Sequence, residues 1–499
     1  MAKIINRGNF SQIVDETDFQ FLTTLDSHLS FTVPGAQYTR AFKGFANKKT
    51  GGFDRWDGTR RIMTDRLEFP SGLVPRVEEF FKSYSKQIEV VDQRPPKTPN
   101  NKMDIEAILK RMDKVPHDYQ VQALEEAKKH DRGIIKLATG GGKSLIAAMI
   151  AAEYGKPTIV YVIGKDLLYQ FYDLFKDIFG DKAGIIGDGL CRISQINVVS
   201  IWTVGQAMGL KKSDILLDGD DDSEKFNLEK CSEIINLLAD AKVHIIDECH
   251  MAACATIQRL YKSLDNAEYI YGLSGSPWRD VNADLLIEAL LGKYIVNIQA
   301  SYLIQRGFLA KPIIRFMDVP KLREQPPNNY KSIYKAYIVE NEDRNEMVLK
   351  AAKMLTGQGY QTLILFNSLA HGKILYDLIK DEIPCAILAG SDDKETRDQV
   401  KKDLMAGRLN CVLASKIFDI GVDIPSLSGL IVACGGKSTV KAIQRIGRVI
   451  RRYPGKKIAG IVDFNDNCKF LDKHSKIRFK VYKSEDGFEV HWPSKKKKR

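Results

Sequence analysis

Ten short apolar runs, each followed by an amphipathic stretch, constrain this chain more than any other feature. In order they are GIIKLAT, PTIVYVI, INVVSI, KVHIID and EYIYGLS, then TLILFN, PCAILAG, NCVLAS, GLIVAC and IAGIVDF. None approaches the length needed to cross a bilayer. None alternates apolar with polar residues as a strand with one wet face would. Continuous runs of this length suit strands buried on both faces, in parallel sheets covered by crossover helices. Two series of five therefore predict an α/β chain with two parallel-sheet domains in tandem.

The chain has 499 residues, room for about three domains. Composition changes at VDQRPPKTPNN, residues 91–101, where prolines among polar neighbours read as a linker. This sets off a small α+β N-terminal accessory domain at 1–94, followed by α/β domains at 100–300 and 301–499. A less regular connection, 301–343, joins the two series. The acidic stretch DILLDGDDDSEKF, 214–226, interrupts the first series as an exposed loop, and the chain closes on the basic tail SKKKKR. Eight cysteines are scattered without a CxxC pair, which argues for reduced, mostly buried thiols and against a zinc ribbon. The first residues carry no apolar leader, so the expected location is cytoplasmic (host cytoplasm if phage-encoded), with no membrane association. The formal net charge of +12 points to a polyanion partner.

The residues LATGGGKSL, 137–145, lie between the apolar GIIK and the helical LIAAMIAAEY, so the local order is strand, glycine loop, helix. Through Thr139, Gly140, Gly141 and Gly142, backbone N–H groups can turn toward a triphosphate at the positive end of a helix. Lys143 reaches the β- and γ-phosphates, and the Ser144 hydroxyl is a ligand for Mg²⁺. Leu137 stands where such a loop usually begins with Gly or Ala. Farther along, KVHIIDECH ends an apolar strand in Asp247 and Glu248. Adjacent carboxylates at the end of a buried strand are costly unless they hold a metal or a water. Asp247 is assigned to Mg²⁺ and Glu248 to the attacking water; the plainer reading is that the pair only caps the next helix. Upstream, PHDYQVQAL places Tyr119 and Gln120 before the first helix of the sheet domain. A glutamine amide can both donate to and accept from an adenine edge.

AIQRIGRVIRRY, 442–453, carries Arg445, Arg448, Arg451 and Arg452. At about 100° per residue, a helix through this stretch puts Gln444, Gly447, Arg448 and Arg451 on one face. Arg445 and Arg452 flank that face, and Ile446, Val449 and Ile450 turn into a core. Two readings stay open from the residues alone: a solvated basic face, or cations aimed at a phosphate held elsewhere in the chain.

Taken in order, YQVQA, LATGGGKS, DECH, LSGSPWR, SKIFDIGVDIP and QRIGRVIRR resemble the motif series of superfamily 2 helicases. The resemblance spans both α/β domains. It implies two RecA-like domains with ATP bound between them, and ATP hydrolysis that depends on nucleic acid and is coupled to strand separation. It implies that Arg448 and Arg451 act as arginine fingers and that Gln444 faces the γ-phosphate. Gly421 and Asp423 would link ATP contacts to nucleic acid, and His250, Ser274 and Ser276 would couple the carboxylate pair to domain movement. Strand contacts are implied at Lys165 in VIGKDLLYQ, at Thr203 in SIWTVGQA, and at Asn367, Ser368 and His371 in LFNSLAHGKIL.

The segments YTRAFKGFANKKTGGFDRWDGTRRIM, LEFPSGLVPRVEEFF and VENEDRNEMVLKAAK resemble, more narrowly, the bacteriophage UvsW-type helicases. That likeness implies remodelling of branched DNA: Holliday junctions, forks and the RNA–DNA hybrids of R-loops. Tracking would be 3′→5′, in recombination, repair and replication, and a monomer is the expected acting form. An RNA helicase or a double-stranded DNA translocase is the alternative among enzymes; a non-catalytic nucleic-acid-binding scaffold is the alternative outside them. In the N-terminal segment Arg40, Lys43, Lys48, Lys49, Arg55, Arg60 and Arg61 interleave with Trp56, Tyr38, Phe42, Phe45 and Phe53. The basic residues offer salt-dependent phosphate affinity and the aromatics can stack on exposed bases. Equally, the aromatics can be this domain's own core.

Overall fold

The computed structural model describes the chain except at residues 34, 47–52, 211–229, 265, 276–283, 322–328, 390–391, 393, 416–423, 437–438 and 494–499. The chain forms two compact units: Met1–Lys136 with Lys143–Asn297, and Ile298–Arg499 together with Leu137–Gly142. Among the described residues no helix is long and apolar enough to cross a membrane.

The first unit opens with a four-stranded sheet of β1 (Ala2–Asn6), β2 (Phe10–Val14), β3 (Glu68–Pro70) and β4 (Ile88–Asp92), in the order β3-β2-β1-β4. β1 runs antiparallel to β2 and parallel to β4. Two helices cover the sheet, α1 (Phe19–His28) and α2 (Val74–Ser83). The Asp18 carboxylate starts α1 by accepting from the Phe21 N–H. Ile4 and Ile13 of the sheet cluster with Phe21 and Leu25 of α1 and with Val77, Phe80 and Phe81 of α2.

The rest of the first unit is an eight-stranded sheet: β5 (Arg132–Leu137), β6 (Thr158–Val162), β7 (Ala183–Gly187), β8 (Leu190–Arg192), β9 (Ile196–Ser200), β10 (Val243–Asp247), β11 (Tyr269–Ser274) and β12 (Tyr294–Ile298). The order is β8-β7-β9-β6-β10-β11-β5-β12, parallel from β7 across to β5. β6, β7, β9, β10 and β11 are buried at every residue, as continuous apolar runs require. Helices α3 (Asp118–Lys128), α4 (Lys143–Tyr154) and α5 (Asp284–Leu291) belong to this layer.

The N-terminal domain is docked against α5. A Cβ on Gly72 would fall 2.3 Å from the Glu288 carbonyl oxygen and 2.5 Å from that of Ala289. The Arg76 guanidinium of α2 forks onto the Glu288 carboxylate, with Nε to Oε1 at 3.1 Å. Asn9 Nδ2 donates to the Tyr261 and Leu264 carbonyls, and the Tyr261 hydroxyl donates back to Asn9 O at 2.7 Å. Gly72→Ala is expected to destabilise the first unit by about 3 kcal/mol, because backbone rather than a side-chain tip must give way. A lowered thermal midpoint checks this; an unchanged midpoint would mean the two layers meet less closely.

The proline-rich segment 91–101 is a fixed strap. Arg94 spans Asp92 and Asp131 (Nη1 to Oδ2 2.7 Å), and Lys97 also pairs with Asp131. Buried Lys156 donates to the Thr98 carbonyl at 2.6 Å and pairs with Glu268. Asn101 N–H donates to Tyr154 O at 3.0 Å and Met103 N–H to Ala152 O at 2.9 Å. Composition reads this stretch as a linker; partners from far along the chain hold it down.

The second unit is a seven-stranded sheet: β13 (Lys311–Val319), β14 (Thr362–Leu365), β15 (Cys385–Leu388), β16 (Cys411–Ala414), β17 (Gly429–Ile431), β18 (Ile458–Asp466) and β19 (Glu489–His491). The order is β15-β16-β14-β17-β18-β13-β19, parallel throughout. Its helices include α6 (Tyr330–Tyr334), α7 (Glu342–Gly357), α8 (Leu369–Ile379), α9 (Thr439–Val449) and α10 (Leu471–Ser484). β13 lies within the stretch expected to be irregular, yet it pairs with β18 along its whole length. Exposed Lys311, Arg315 and Asp318 break its apolar pattern, so no continuous run marks it.

Candidate active site

The glycine loop is built by conformations that side chains resist. Gly140 and Gly142 hold φ of +90° and +83°, where a Cβ is strained. A Cβ on Gly141 would fall 2.7 Å from Leu137 Cγ. Leu137, the departure from the usual loop, therefore packs under the turn. α4 begins at Lys143, so the N–H groups of its first turn are without helical acceptors at this end.

In the first unit Lys143 meets the paired carboxylates. Its Nζ is 2.5 Å from Glu248 Oε1 and 3.7 Å from Asp247 Oδ1. The Ser274 hydroxyl donates to Glu248 Oε2 at 3.3 Å, and His250 Nδ1 lies 3.3 Å from the same oxygen. β10 delivers Asp247 at its carboxyl end, and Glu248 follows with φ 49° and ψ 54°. That left-handed backbone is costly for a glutamate and persists only where its surroundings fix it. Burial pushes the Asp247 carboxyl up to about 6, against the pull of Lys143 and with the push of Glu248. At Glu248 burial acts the same way, but Lys143 and His250 outweigh it and hold the carboxyl well below the usual range. Asp247 Oδ1 is buried with no hydrogen-bond donor among the described residues. A lone buried carboxylate oxygen, with the Ser144 hydroxyl on the first turn of α4, is a donor set that suits a hard cation such as Mg²⁺.

Gln120 and Tyr119 are buried at the start of α3. Gln120 Oε1 accepts from the His117 N–H at 2.9 Å, which takes one of the two acceptor positions of its amide oxygen. Gly421, Asp423 and Ser276 lie outside the described residues, as do Lys48 and Lys49.

The arginine stretch differs from a single helix. α9 ends at Val449, and Arg451 instead forms an isolated bridge with Leu309, beside the Ala310 N–H to Ile450 O bond of 2.8 Å. The shared face thus holds Gln444, Gly447 and Arg448 but not Arg451. Ile446, Val449 and Ile450 are buried as the periodicity predicts. Arg445 is also buried, not flanking in solvent, and donates Nη1 to Gly435 O at 3.3 Å.

Motif reading misses what holds the loop ahead of α9. Arg344 Nη1 donates to Ala433 O at 2.8 Å, the Tyr334 hydroxyl to Cys434 O at 2.9 Å, and Arg478 Nη1 to Gly436 O at 2.7 Å. With Arg445 on Gly435, four successive carbonyls each receive a side-chain donor. Arg344 and Arg478 are themselves buried, on Asp466 (2.8 Å) and Asp463 (2.8 and 2.7 Å). The available signal was the spacing of Asn341, Arg344 and Asn345, three polar residues on one face of a helix.

Several implied strand contacts are occupied elsewhere. His371 is fully buried and its Nε2 bonds Asn345 Oδ1 at 3.0 Å, so it is not a surface ligand. Burial, then the nearby Arg344, pushes its imidazole down to about 3 from an ordinary 6.5. The unfolded chain takes up that proton near 6.5, so His371 costs nothing above this pH and progressively more as pH falls toward 3. His371→Gln is expected to flatten the acid loss of stability by up to about 1.4 kcal/mol per pH unit in that window. Thermal melts across pH check this, and an unaltered profile would contradict it. Thr203 is buried in its helix, so its hydroxyl is not presented to a strand. Lys165 pairs with Asp188 at 2.8 Å, so a phosphate there would compete with that carboxylate. Asn367 Nδ2 donates to Cys434 O at 3.4 Å, and Ser368 leads into α8.

In the N-terminal domain Arg61 pairs with Asp57 and Asp26, Arg60 bonds Gln258, and the Arg55 guanidinium lies 5.5 Å over the Phe42 ring. Arg40 and Lys43 bound a short helix, and Lys43 is exposed. Trp56 is half-buried with its indole N–H on Thr59 O at 2.7 Å. Neither Phe42 nor Trp56 joins the main core, which Phe21, Phe69, Phe80 and Phe81 build instead.

Comparison with known proteins agrees with this architecture. Two family models match: "Type III restriction enzyme, res subunit" over residues 113–279 and "Helicase conserved C-terminal domain" over residues 344–453. Between them they take in more than half of the chain. The chain is 25% identical over 498 residues to the ATP-dependent DNA helicase uvsW of Enterobacteria phage T4, covering 95% of this chain and 92% of that protein. It is 24% identical over 380 residues to the DNA 3'-5' translocase XPB2 of Sulfurisphaera tokodaii, covering 67% and 78%. Among solved structures, S. cerevisiae Dbp5 bound to RNA and ADP BeF3 shares the fold, with a TM-score of 0.51 at 15% identity over 79% of this chain and 94% of that one. The crystal structure of T4 UvsW matches over 98% of both chains, at 22% identity and a TM-score of 0.44. The chain belongs to the superfamily 2 helicases, near the UvsW type, and is an enzyme whose ATP hydrolysis depends on nucleic acid and drives strand separation.

Proposed function

We propose that this helicase remodels branched DNA, including Holliday junctions, forks and R-loops, and tracks 3′→5′ as a monomer in recombination, repair and replication. The observation that carries the reading is the docked N-terminal domain. Because it shares a unit with the first parallel sheet, a duplex arm gripped through Arg40, Lys43, Arg55 and Arg60 moves with the ATPase. The direction rests on relatives named for 3'-5' activity.

In the hydrolytic site, an ATP phosphate competes with Glu248 for the Lys143 ammonium. Glu248, released and still held by Ser274, accepts the proton of the attacking water. Mg²⁺ held by Ser144 and Asp247 would draw charge from the phosphate oxygens. Gln444, Arg448 and Arg451 answer the charge that develops on the γ-phosphate. Gly421, Asp423, His250, Ser274 and Ser276 pass the state of the nucleotide to the strand contacts.

A panel of junction, fork, R-loop, linear duplex and RNA at matched salt tests this through the stimulated ATPase rate. Branched substrates are expected to stimulate most. Equal stimulation by linear duplex would favour a double-strand translocase, and equal stimulation by RNA an RNA helicase; either overturns the branched-DNA reading.

A further inference from the structure

At the carboxyl ends of β17 and β18 the second unit carries an aromatic patch that no motif explains. Phe470 sits at φ 67° and ψ −46°, and the Leu471 N–H donates to Lys469 O at 2.9 Å across it. This is the positive-φ γ-turn, rare and strained for any residue with a bulky side chain. Burial does not repay the strain, since Phe470 is 43% exposed. Tyr330, also 43% exposed, stands edge-on to it at 6.5 Å and lies 5.7 Å from the His474 ring. A small separate core of Ile333, Tyr337, Ile338, Cys468 and Leu471 anchors both aromatic segments. Each ring has an exposed lysine beside it in sequence: Lys331, Lys469 and Lys473. The Lys469 ammonium lies 5.3 Å over the Phe470 ring.

We propose that Phe470 and Tyr330 form a stacking platform for unpaired bases of a nucleic-acid strand, with Lys331, Lys469 and Lys473 on its phosphates. The proposal rests on the reading that the second unit engages a strand. A ring held out in water by a strained turn gains nothing from folding, and strain of this kind collects at functional sites. Every base offers a π face, so such a platform tolerates any sequence, as a moving helicase needs. The carboxyl ends of parallel strands are the ligand edge of α/β sheets. The platform also adjoins an implied strand contact, because Tyr334 and Asn367 both donate to Cys434 O at this end.

The test uses the full chain, Phe470→Gly and Phe470→Trp, with fluorescence anisotropy on single-stranded DNA, on RNA, and on an abasic strand of the same length and charge. Phe470→Gly is expected to bind base-bearing strands about ten-fold more weakly and the abasic strand as the wild type does. Its thermal midpoint should hold or rise, because glycine relaxes the turn. Phe470→Trp should bind as the wild type, with its indole emission quenched by the strand. Loss on DNA, RNA or both supports the platform and names its strand. Wild-type affinity in Phe470→Gly, an equal loss on the abasic strand, or a fallen midpoint would overturn it. A wild type that binds no strand at all would instead remove the nucleic-acid reading beneath it.

Discussion

Glu248→Gln lowers ATP turnover at saturating nucleic acid by about 10³-fold and leaves nucleotide binding nearly intact. The substitution keeps the size of a side chain that Lys143, Ser274 and His250 surround, so the left-handed turn at 248 has no steric reason to move. It removes the carboxylate proposed to take a proton from water, together with the anion that pairs with Lys143. Lys143→Ala should abolish turnover too, but by a different route: it removes the proposed phosphate ligand and leaves Asp247 and Glu248 as buried neighbours without their cation. Turnover with ATP binding measured in parallel separates the two. Activity above a tenth of wild type in Glu248→Gln would take the proton-accepting role away from that residue.

The second large effect falls on stability. Arg344→Ala should cost the second unit about 3–5 kcal/mol, because it leaves one partner of a buried pair alone. Asp466 loses its 2.8 Å partner, Ala433 O loses its donor, and the Phe464 ring loses the guanidinium 4.7 Å away. Arg344→Lys should recover little, since one ammonium cannot replace a planar fork serving two acceptors. Arg344→Met combined with Asp466→Asn should recover more, since no unpaired charge stays buried. Denaturant unfolding checks the series. Wild-type stability in Arg344→Ala would mean the loop at 433–436 does not depend on this clamp.

All ten apolar runs become strands, and burial on both faces, complete in most of them though not in the edge strand β15, is what leaves that pattern in a sequence. β13 hides because Lys311, Arg315 and Asp318 face water. The strap at 91–101 is read as a linker because composition records its prolines and not Asp131, Lys156 or Glu268, which fasten it from elsewhere. The cluster of Lys143, Asp247 and Glu248 is legible because phosphate and metal chemistry admits few residue types at few spacings. Its details are not: the left-handed backbone of Glu248 and the Asp247 oxygen that has no donor among the described residues exist only once the strand ends converge. His371 misleads for the same reason, since Asn345 reaches it through the fold. Arg344 lies in a segment that stands out in the sequence, but its role depends on β17 and β18 arriving beside it.

The most direct measurement is conversion of a synthetic four-way junction into duplex products by the full chain, followed with and without ATP. Product is expected only with ATP and the wild-type chain, and Glu248→Gln should bind the junction without converting it. Conversion that proceeds equally in the absence of ATP, or equally well with Glu248→Gln, would contradict hydrolysis-driven remodelling.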